Sequence, residues 1–214
     1  MTNPQIGPKG HEPRLRVLTC GSVDDGKSTL IGRLLYDSGQ IPQDQVDLVR
    51  NISKRKGLNE IDLSLFTDGL KDERAQGITI DVAYRSMTLL NGSRLIIADA
   101  PGHEQYTRNM AVAASRSDVA LVLLDAARGV RPQTLRHLTI CALMGVSRVA
   151  IVINKLDMFD YSKEKFAEIS AQIAPAVARL NLNEHAIIPV SALVGDNVVF
   201  KSENMNWYTG PTLL

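Results

Sequence analysis

The sequence of 214 residues lacks features that several classes of protein require. It has only 2 cysteines and 5% aromatic residues, and its 24 Lys+Arg are nearly balanced by 23 Asp+Glu. Two cysteines cannot build a disulfide framework, which favours a reducing compartment. A net charge of +1 removes the main argument for a broad nucleic-acid-binding surface, so we predict no general role of that kind.

Long apolar segments are also missing. No run reaches the length of about 18 apolar residues that a membrane-spanning helix needs, and residues 1–14 contain no apolar stretch of the signal-peptide type. We therefore expect neither a membrane span nor a secretion signal, and we expect a cytoplasmic protein.

Apolar runs alternate with helical patterns along most of the chain. Pro- and Gly-rich residues 1–13 predict a flexible tail, and residues 14–214 predict one domain. The predicted strands are Leu15–Cys20, Asp81–Leu90, Leu95–Ala98, Val119–Leu124, Val149–Ile153 and Ala186–Val190. The predicted helices are Lys27–Asp37, His103–Ala114, Gln133–Met144 and Lys163–Leu180, the last interrupted at Pro175. This alternation predicts an α/β fold with a mostly parallel six-stranded sheet and helices on both faces. A hairpin at Asn91-Gly92 would add one antiparallel edge strand.

Two segments depart from this alternation. Residues 39–79 are polar, charged and long, which predicts an irregular functional segment that is only partly ordered without a bound triphosphate. The end of the chain, Thr209–Leu214, resembles a helix start with Thr212 as its cap. We therefore expect the sequence to be part of a longer protein.

The most specific motif is the run Gly21-Ser22-Val23-Asp24-Asp25-Gly26-Lys27-Ser28, followed by Thr29, which lies between a predicted strand and a predicted helix. It matches the phosphate-binding loop, in which glycines let backbone N–H groups face phosphate oxygens at a helix N-terminus. Lys27 would reach the β- and γ-phosphates and contribute to catalysis, and the Ser28 hydroxyl would bind Mg²⁺. The alternative is an ordinary glycine-containing turn with an exposed lysine.

Two further groups fit the γ-phosphate and the metal. Asp99-Ala-Pro-Gly102 ends a predicted strand, where Asp99 would hold Mg²⁺ and the Gly102 N–H would meet the γ-phosphate. The Thr79 hydroxyl, at the end of the irregular segment, would complete the metal coordination only when a triphosphate is bound. The alternatives are a turn with a capping aspartate and a simple strand start at Ile-Thr-Ile.

The base-binding candidates follow the last two strands. In Asn154-Lys155-Leu-Asp157, the Asp157 carboxylate can accept two hydrogen bonds from guanine that adenine cannot supply. Lys155 can cover the base, and Asn154 can tie this loop to the phosphate loop. Ser191-Ala192-Leu193 can add a backbone donor to the guanine oxygen. A polar turn with Asp157 as a helix cap is the alternative.

In this order, these motifs resemble those of regulatory GTPases, which have the G-domain type of P-loop NTPase fold. Val23-Asp-Asp-Gly-Lys, Gly77-Ile-Thr-Ile and Asp99-Ala-Pro-Gly-His103 resemble the translation-factor GTPases more narrowly. That resemblance implies that His103 positions the attacking water and that Asp24 suits a monovalent cation near the phosphates. Ser22 and Asp25 depart from the histidines that elongation factors have at those positions.

Longer stretches resemble the GTPase subunits of bacterial sulfate adenylyltransferases. They include Phe66-Thr-Asp-Gly-Leu, Gly102-His-Glu-Gln-Tyr-Thr-Arg-Asn-Met and Trp207-Tyr-Thr-Gly-Pro-Thr-Leu-Leu. The resemblance implies GTP hydrolysis with Mg²⁺, coupled to formation of adenylyl sulfate from ATP and sulfate on a separate catalytic subunit during sulfate assimilation. It also implies C-terminal β-barrel domains and a fused or associated adenylylsulfate kinase. No arginine finger can be assigned, so we expect slow hydrolysis by this chain alone.

Two alternatives share parts of this pattern. A translation elongation factor that delivers aminoacyl-tRNA would have the same GTP-binding residues. An ATP-dependent small-molecule kinase would share the phosphate loop, but Asn154–Asp157 disfavours it.

Overall fold

The computed structural model describes residues 14–58, 60–67, 81–89, 92–182 and 184–214. The strands are β1 (Arg14–Gly21), β2 (Ala83–Thr88), β3 (Arg94–Asp99), β4 (Val119–Asp125), β5 (Arg148–Asn154) and β6 (Glu184–Pro189). The helices are α1 (Lys27–Asp37), α2 (Gln43–Arg55), α3 (Thr107–Ala114), α4 (Pro132–Leu143) and α5 (Lys163–Arg179). Short 3₁₀ turns span Leu63–Phe66, Glu104–Tyr106 and Leu156–Phe159. None of the described helices is long and apolar enough to cross a membrane.

The six strands form one sheet in the order β2-β3-β1-β4-β5-β6. β2 pairs antiparallel with β3, and the other neighbours are parallel, as the sequence predicts. The hairpin turn is closed by the Gly92 N–H, which donates to the Leu89 carbonyl at 2.9 Å, and Gly92 has a φ of +80°. Asn91 itself lies outside the described residues.

Side chains of β4 alternate between two hydrophobic clusters, one on each face of the sheet. Ala120, Val122 and Leu124 pack on the face covered by α3, α4 and α5. Leu121 and Leu123 pack on the opposite face, against Leu30, Ile31 and Leu34 of α1. A strand buried on both faces must be apolar throughout, which explains its uninterrupted apolar sequence.

The prediction of an irregular segment over 39–79 is wrong for its first half, which forms helix α2. Val46 and Val49 lie one helical turn apart and are buried, while the charged residues face outward. The Ser53 hydroxyl accepts a hydrogen bond from the Asp62 N–H at 2.9 Å, which joins α2 to the following turn. The high charge of this helix reflects its exposed face. Residues 68–80, including Thr79, lie outside the described residues.

Two predicted helices differ in detail. Helix α5 continues through Pro175 because buried Ile169, Ile173 and Val177 hold both halves against the sheet. The predicted helix from His103 starts later, at Thr107, after a 3₁₀ turn. The final residues 209–214 form no helix.

The terminal segment instead packs against the domain. The Trp207 indole N–H donates to the Tyr161 carbonyl at 2.9 Å, and its ring lies 5.2 Å from that of Phe166. The buried thiols Cys20 and Cys141 are core residues and form no disulfide.

Candidate functional site

The phosphate loop connects β1 to α1 at the carboxyl edge of the sheet. Its turn is closed by the Asp25 carboxylate, which accepts from the Ser22 N–H at 2.7 Å. Gly26 has a φ of +90°, and a Cβ there would collide with the Asn154 amide nitrogen, so only glycine fits. Lys27, Ser28 and Thr29 form the first turn of α1, whose free N–H groups favour an anion.

The Lys27 ammonium pairs with the Asp99 carboxylate, with 2.5 Å between Nζ and Oδ1. Thr19 of β1 pairs with Asp99 of β3 in the sheet register. Asp99 therefore lies at the same carboxyl edge of the sheet as the loop that follows β1 and leads to Lys27. Both side chains are buried, which makes the pair a strong local constraint. Among the described residues, no group of three or more Asp, Glu, His or Cys could hold a metal alone. Ser28 and Asp99 nevertheless offer the hard oxygen ligands that Mg²⁺ takes when phosphates supply the rest.

Gly102 packs directly against the phosphate loop. A Cβ at Gly102 would collide with the Gly21 carbonyl and would lie 3.2 Å from the Val23 nitrogen. The Gln133 side-chain amide donates to the Gly102 carbonyl at 3.3 Å, which anchors this turn to α4. The structure therefore places the Gly102 backbone against the Gly21–Val23 loop, and its contact with a γ-phosphate stays a prediction.

His103 follows at the surface. It caps the 3₁₀ turn, with its Nδ1 accepting from the Gln105 N–H at 3.4 Å, and its ring lies 6.1 Å from that of Tyr106. Its role in positioning water stays a prediction.

Asn154 joins its own loop to the phosphate loop and to the Ser191–Leu193 loop. Its Nδ2 donates to the Asp25 carbonyl at 2.9 Å, and its Oδ1 accepts from the Ala192 N–H at 2.9 Å. The side chain is 2% exposed. The contact with the phosphate loop that the sequence predicts is therefore present. The Ala192 N–H is directed at Asn154 in this structure, whereas the sequence assigns the Ser191–Leu193 loop a donor to guanine.

Asp157, which the sequence predicts to bind the base, has an unsatisfied side-chain oxygen. Its Oδ1 is buried and has no hydrogen-bond partner within the described part of the chain. A buried carboxylate oxygen without a donor is costly, so the site fits a ligand that brings N–H groups. Ser191 supports the adjacent loop, with its Oγ accepting from the Val194 N–H at 3.2 Å, and Leu193 is exposed.

Two residues that sequence reasoning missed complete the network. Buried Asp125, at the end of β4, accepts from the Lys155 ammonium at 2.8 Å, and Lys155 also donates to the Asp24 carbonyl at 2.6 Å. Arg128 donates to the Val23 carbonyl at 3.0 Å and pairs with the Asp24 carboxylate. The position of Asp125 at the carboxyl end of a parallel strand was a usable signal. Nothing in the local sequence marks Arg128.

Two buried groups near the loop have perturbed protonation. Burial raises the pKa of Asp25 from 3.8 to about 6, with Asp125 adding to the effect and the Ser22 N–H opposing it. Burial lowers the pKa of His137 from 6.5 to about 4, and the charges of Arg136 and Lys27 act in the same direction. Both shifts favour the neutral form relative to a free side chain; at pH 7 His137 is neutral, whereas Asp25 is still largely ionised.

Comparison with known proteins adds the family context. A family model for the elongation factor Tu GTP-binding domain matches residues 12–209. The chain is 53% identical over 208 residues to sulfate adenylyltransferase subunit 1 of Saccharophagus degradans, which covers 95% of this chain and 44% of that protein. It is 53% identical over 212 residues to the bifunctional enzyme CysN/CysC of Rhodopirellula baltica, covering 96% and 33%. The chain thus spans less than half the length of these relatives.

The fold has counterparts among solved structures. The Ski7 GTPase-like domain of S. cerevisiae, bound to GDP and inorganic phosphate, matches with a TM-score of 0.80 and 23% identity over 94% of this chain and 48% of that one. At that identity the likeness concerns the fold alone.

Proposed function

The chain belongs to the family of the elongation factor Tu GTP-binding domain, and on that premise we propose that it binds GTP and hydrolyses it to GDP. We further propose that it acts as the GTPase part of a sulfate adenylyltransferase. There, GTP hydrolysis would be coupled to the formation of adenylyl sulfate from ATP and sulfate.

The observation that carries the GTP assignment is the bridge made by Asn154. Its two hydrogen bonds of 2.9 Å hold the phosphate loop and the Ser191–Leu193 loop together. The bridge brings the base-binding and phosphate-binding motifs into one site, which has the unpaired Asp157 oxygen on its base side. Guanine can donate to the Asp157 carboxylate through its ring N–H and its amino group, whereas adenine has no such pair of donors.

For hydrolysis, the chain supplies charge stabilisation and orientation. Backbone N–H groups of residues 21–28 and the start of α1 surround the phosphates, and Lys27 neutralises charge on the transferring phosphoryl group. A triphosphate that takes the Lys27 ammonium would separate it from Asp99. His103 orients the attacking water, and the Gly102 N–H holds the γ-phosphate.

We propose Mg²⁺ as the metal, held by Ser28, Asp99 and Thr79. When bound, this ion neutralises charge on the β- and γ-phosphates. The oxygen-only ligand set fits Mg²⁺ in preference to the softer transition metals.

The sulfate-activation role rests on the names of the relatives. Proteins named sulfate adenylyltransferase subunit 1 are 51–53% identical to this chain over 95–96% of its length. These names favour sulfate activation over delivery of aminoacyl-tRNA. A protein named subunit 1 implies a partner, which we propose is the catalytic ATP-sulfurylase subunit. The bifunctional relative suggests an adenylylsulfate kinase as a fused or associated enzyme. Two unpaired buried thiols are compatible with the cytoplasm.

The test measures GTP hydrolysis and the release of pyrophosphate from ATP and sulfate. The full-length protein that contains this chain is assayed with and without the catalytic subunit, and Lys27→Ala is the inactive control. We expect each activity to depend on the other, and GTP to stimulate pyrophosphate release. GTP hydrolysis that does not respond to the catalytic subunit would contradict the sulfate role while leaving the GTPase assignment intact.

A further inference from the structure

Arg128 meets the phosphate loop from the side of β4. One guanidinium nitrogen donates to the Val23 carbonyl at 3.0 Å, and the other lies 3.3 Å from the Asp24 carboxylate. Its Nε lies 3.9 Å from the buried Asp125 carboxylate. The guanidinium thus contacts two consecutive loop residues and is anchored from behind by an aspartate at the end of the sheet.

Asp24 is the residue of the loop that most needs such a partner. It has a φ of +71°, a strained conformation for a residue with a side chain. Its side chain is 66% exposed on a loop that must hold a polyphosphate carrying several negative charges. An uncompensated carboxylate there would repel the ligand.

Arg128 lowers the excess of negative charge around this part of the loop from two to one. The groups that face this part of the loop are the carboxylates of Asp24, Asp25 and Asp125 and the cations of Lys155 and Arg128. Lys155 is engaged by Asp125 at 2.8 Å and by the Asp24 carbonyl. Arg128 is therefore the cation that the structure places on the Asp24 carboxylate.

We propose that Arg128 is a positioning residue of the nucleotide site: it neutralises Asp24 and holds the Val23–Asp24 backbone in the shape that receives a triphosphate. A tethered guanidinium at Asp24 then takes the place of the monovalent cation that the family resemblance implies there. This inference rests on the proposed GTP site, and the experiment below separates the two.

The experiment titrates GTP and GDP into the chain by calorimetry, at fixed Mg²⁺ and fixed ionic strength, with either KCl or choline chloride. The wild type should bind GTP equally in both salts. In choline chloride, Arg128→Met should weaken GTP binding about fivefold to tenfold and GDP binding less, because GTP carries more charge. KCl should restore most of the loss, because K⁺ can approach Asp24 and choline cannot.

Two further variants identify the cause. Asp24→Asn combined with Arg128→Met should bind GTP better than Arg128→Met alone, since it removes the uncompensated charge. Arg50→Met is the matched control, because Arg50 forms a similarly exposed ion pair of 2.9 Å with Asp47 on helix α2. It should leave the affinity for both nucleotides unchanged.

The outcomes are distinct. Equal losses of GTP and GDP affinity with no rescue by K⁺ or by Asp24→Asn would mean that Arg128 only supports the fold, and would overturn the inference. Unchanged affinity in Arg128→Met would also overturn it, as would a K⁺ requirement in the wild type. A wild type that binds no guanine nucleotide in either salt would overturn the proposed function itself.

Discussion

Changing Asn154 to aspartate removes one hydrogen-bond donor while keeping the size of the side chain. In the wild type the Asp25 carbonyl lies 2.9 Å from the amide nitrogen of Asn154. In the variant it would face a carboxylate oxygen, which cannot donate. The acceptor for the Ala192 N–H is retained. Because the side chain is 2% exposed, water cannot compensate. A buried group that loses its partner costs about 1–3 kcal/mol, so the melting temperature should fall by roughly 2–12 °C.

The chain offers a matched control in Asn197. It is also buried, at 3% exposed, donates to the Pro189 carbonyl at 3.0 Å and accepts from the Ser202 N–H at 2.9 Å. Asn197→Asp should lower the melting temperature by a similar amount and leave nucleotide affinity intact.

Only Asn154→Asp should also weaken GTP and GDP binding, about tenfold or more, because it releases the phosphate loop from the base-binding loop. Calorimetric titration and thermal unfolding of both variants measure the two effects. Equal nucleotide affinities in the two variants would refute the role of Asn154 as the bridge of the site.

Three other predictions test separate parts of the structure. Gly26→Ala should destabilise the protein more than Gly145→Ala, because both have positive φ but only the first Cβ meets another side chain; thermal unfolding that ranks them equally would contradict this. Between about pH 4 and 6, the Asp25 contribution to the free energy of unfolding is lost as pH rises and the His137 contribution is lost as pH falls, each on the order of 3 kcal/mol. The free energy of unfolding should therefore change little with pH in the wild type, fall with decreasing pH in Asp25→Asn and rise with decreasing pH in His137→Gln. Urea unfolding at several pH values measures it, and a pH dependence of the same sign in both variants would refute this. Trp207→Phe should cost about 1 kcal/mol in urea unfolding through loss of its 2.9 Å hydrogen bond, and no change would show that the bond is not stabilising.

The parts of the fold that the sequence predicts are those in which local pattern and burial agree. The strand Val119–Leu124 is buried on both faces of the sheet, so all of its residues are apolar. An uninterrupted apolar run of this length predicts a buried strand directly. Helix α2 was missed because only Val46, Val49 and Ser53 are buried, and the remaining charges suggest a loop. Pro175 suggests an interruption of α5, but packing of the flanking residues maintains the helix.

The site follows the same division. Gly26, Asn154 and Asp157 belong to short motifs whose chemistry requires those residue types, so the sequence identifies them. Arg128 contacts residues 104 and 105 positions away in the sequence, and no local pattern marks such a partner. The close approach of Gly102 to the phosphate loop likewise depends on the β1–β3 register and not on its neighbours in sequence.

The most direct test of the central claim is the affinity of the chain for GTP, ITP and ATP at fixed Mg²⁺, compared with Asp157→Ala. We predict that GTP binds far more tightly than ATP. ITP lacks the amino group of guanine, so one charge-assisted hydrogen bond is lost. Its affinity should be lower than that of GTP by a factor of about ten or more. Asp157→Ala should remove most of this preference. Equal binding of GTP and ATP by the wild type would contradict the assignment of Asp157 and, with it, the proposed function.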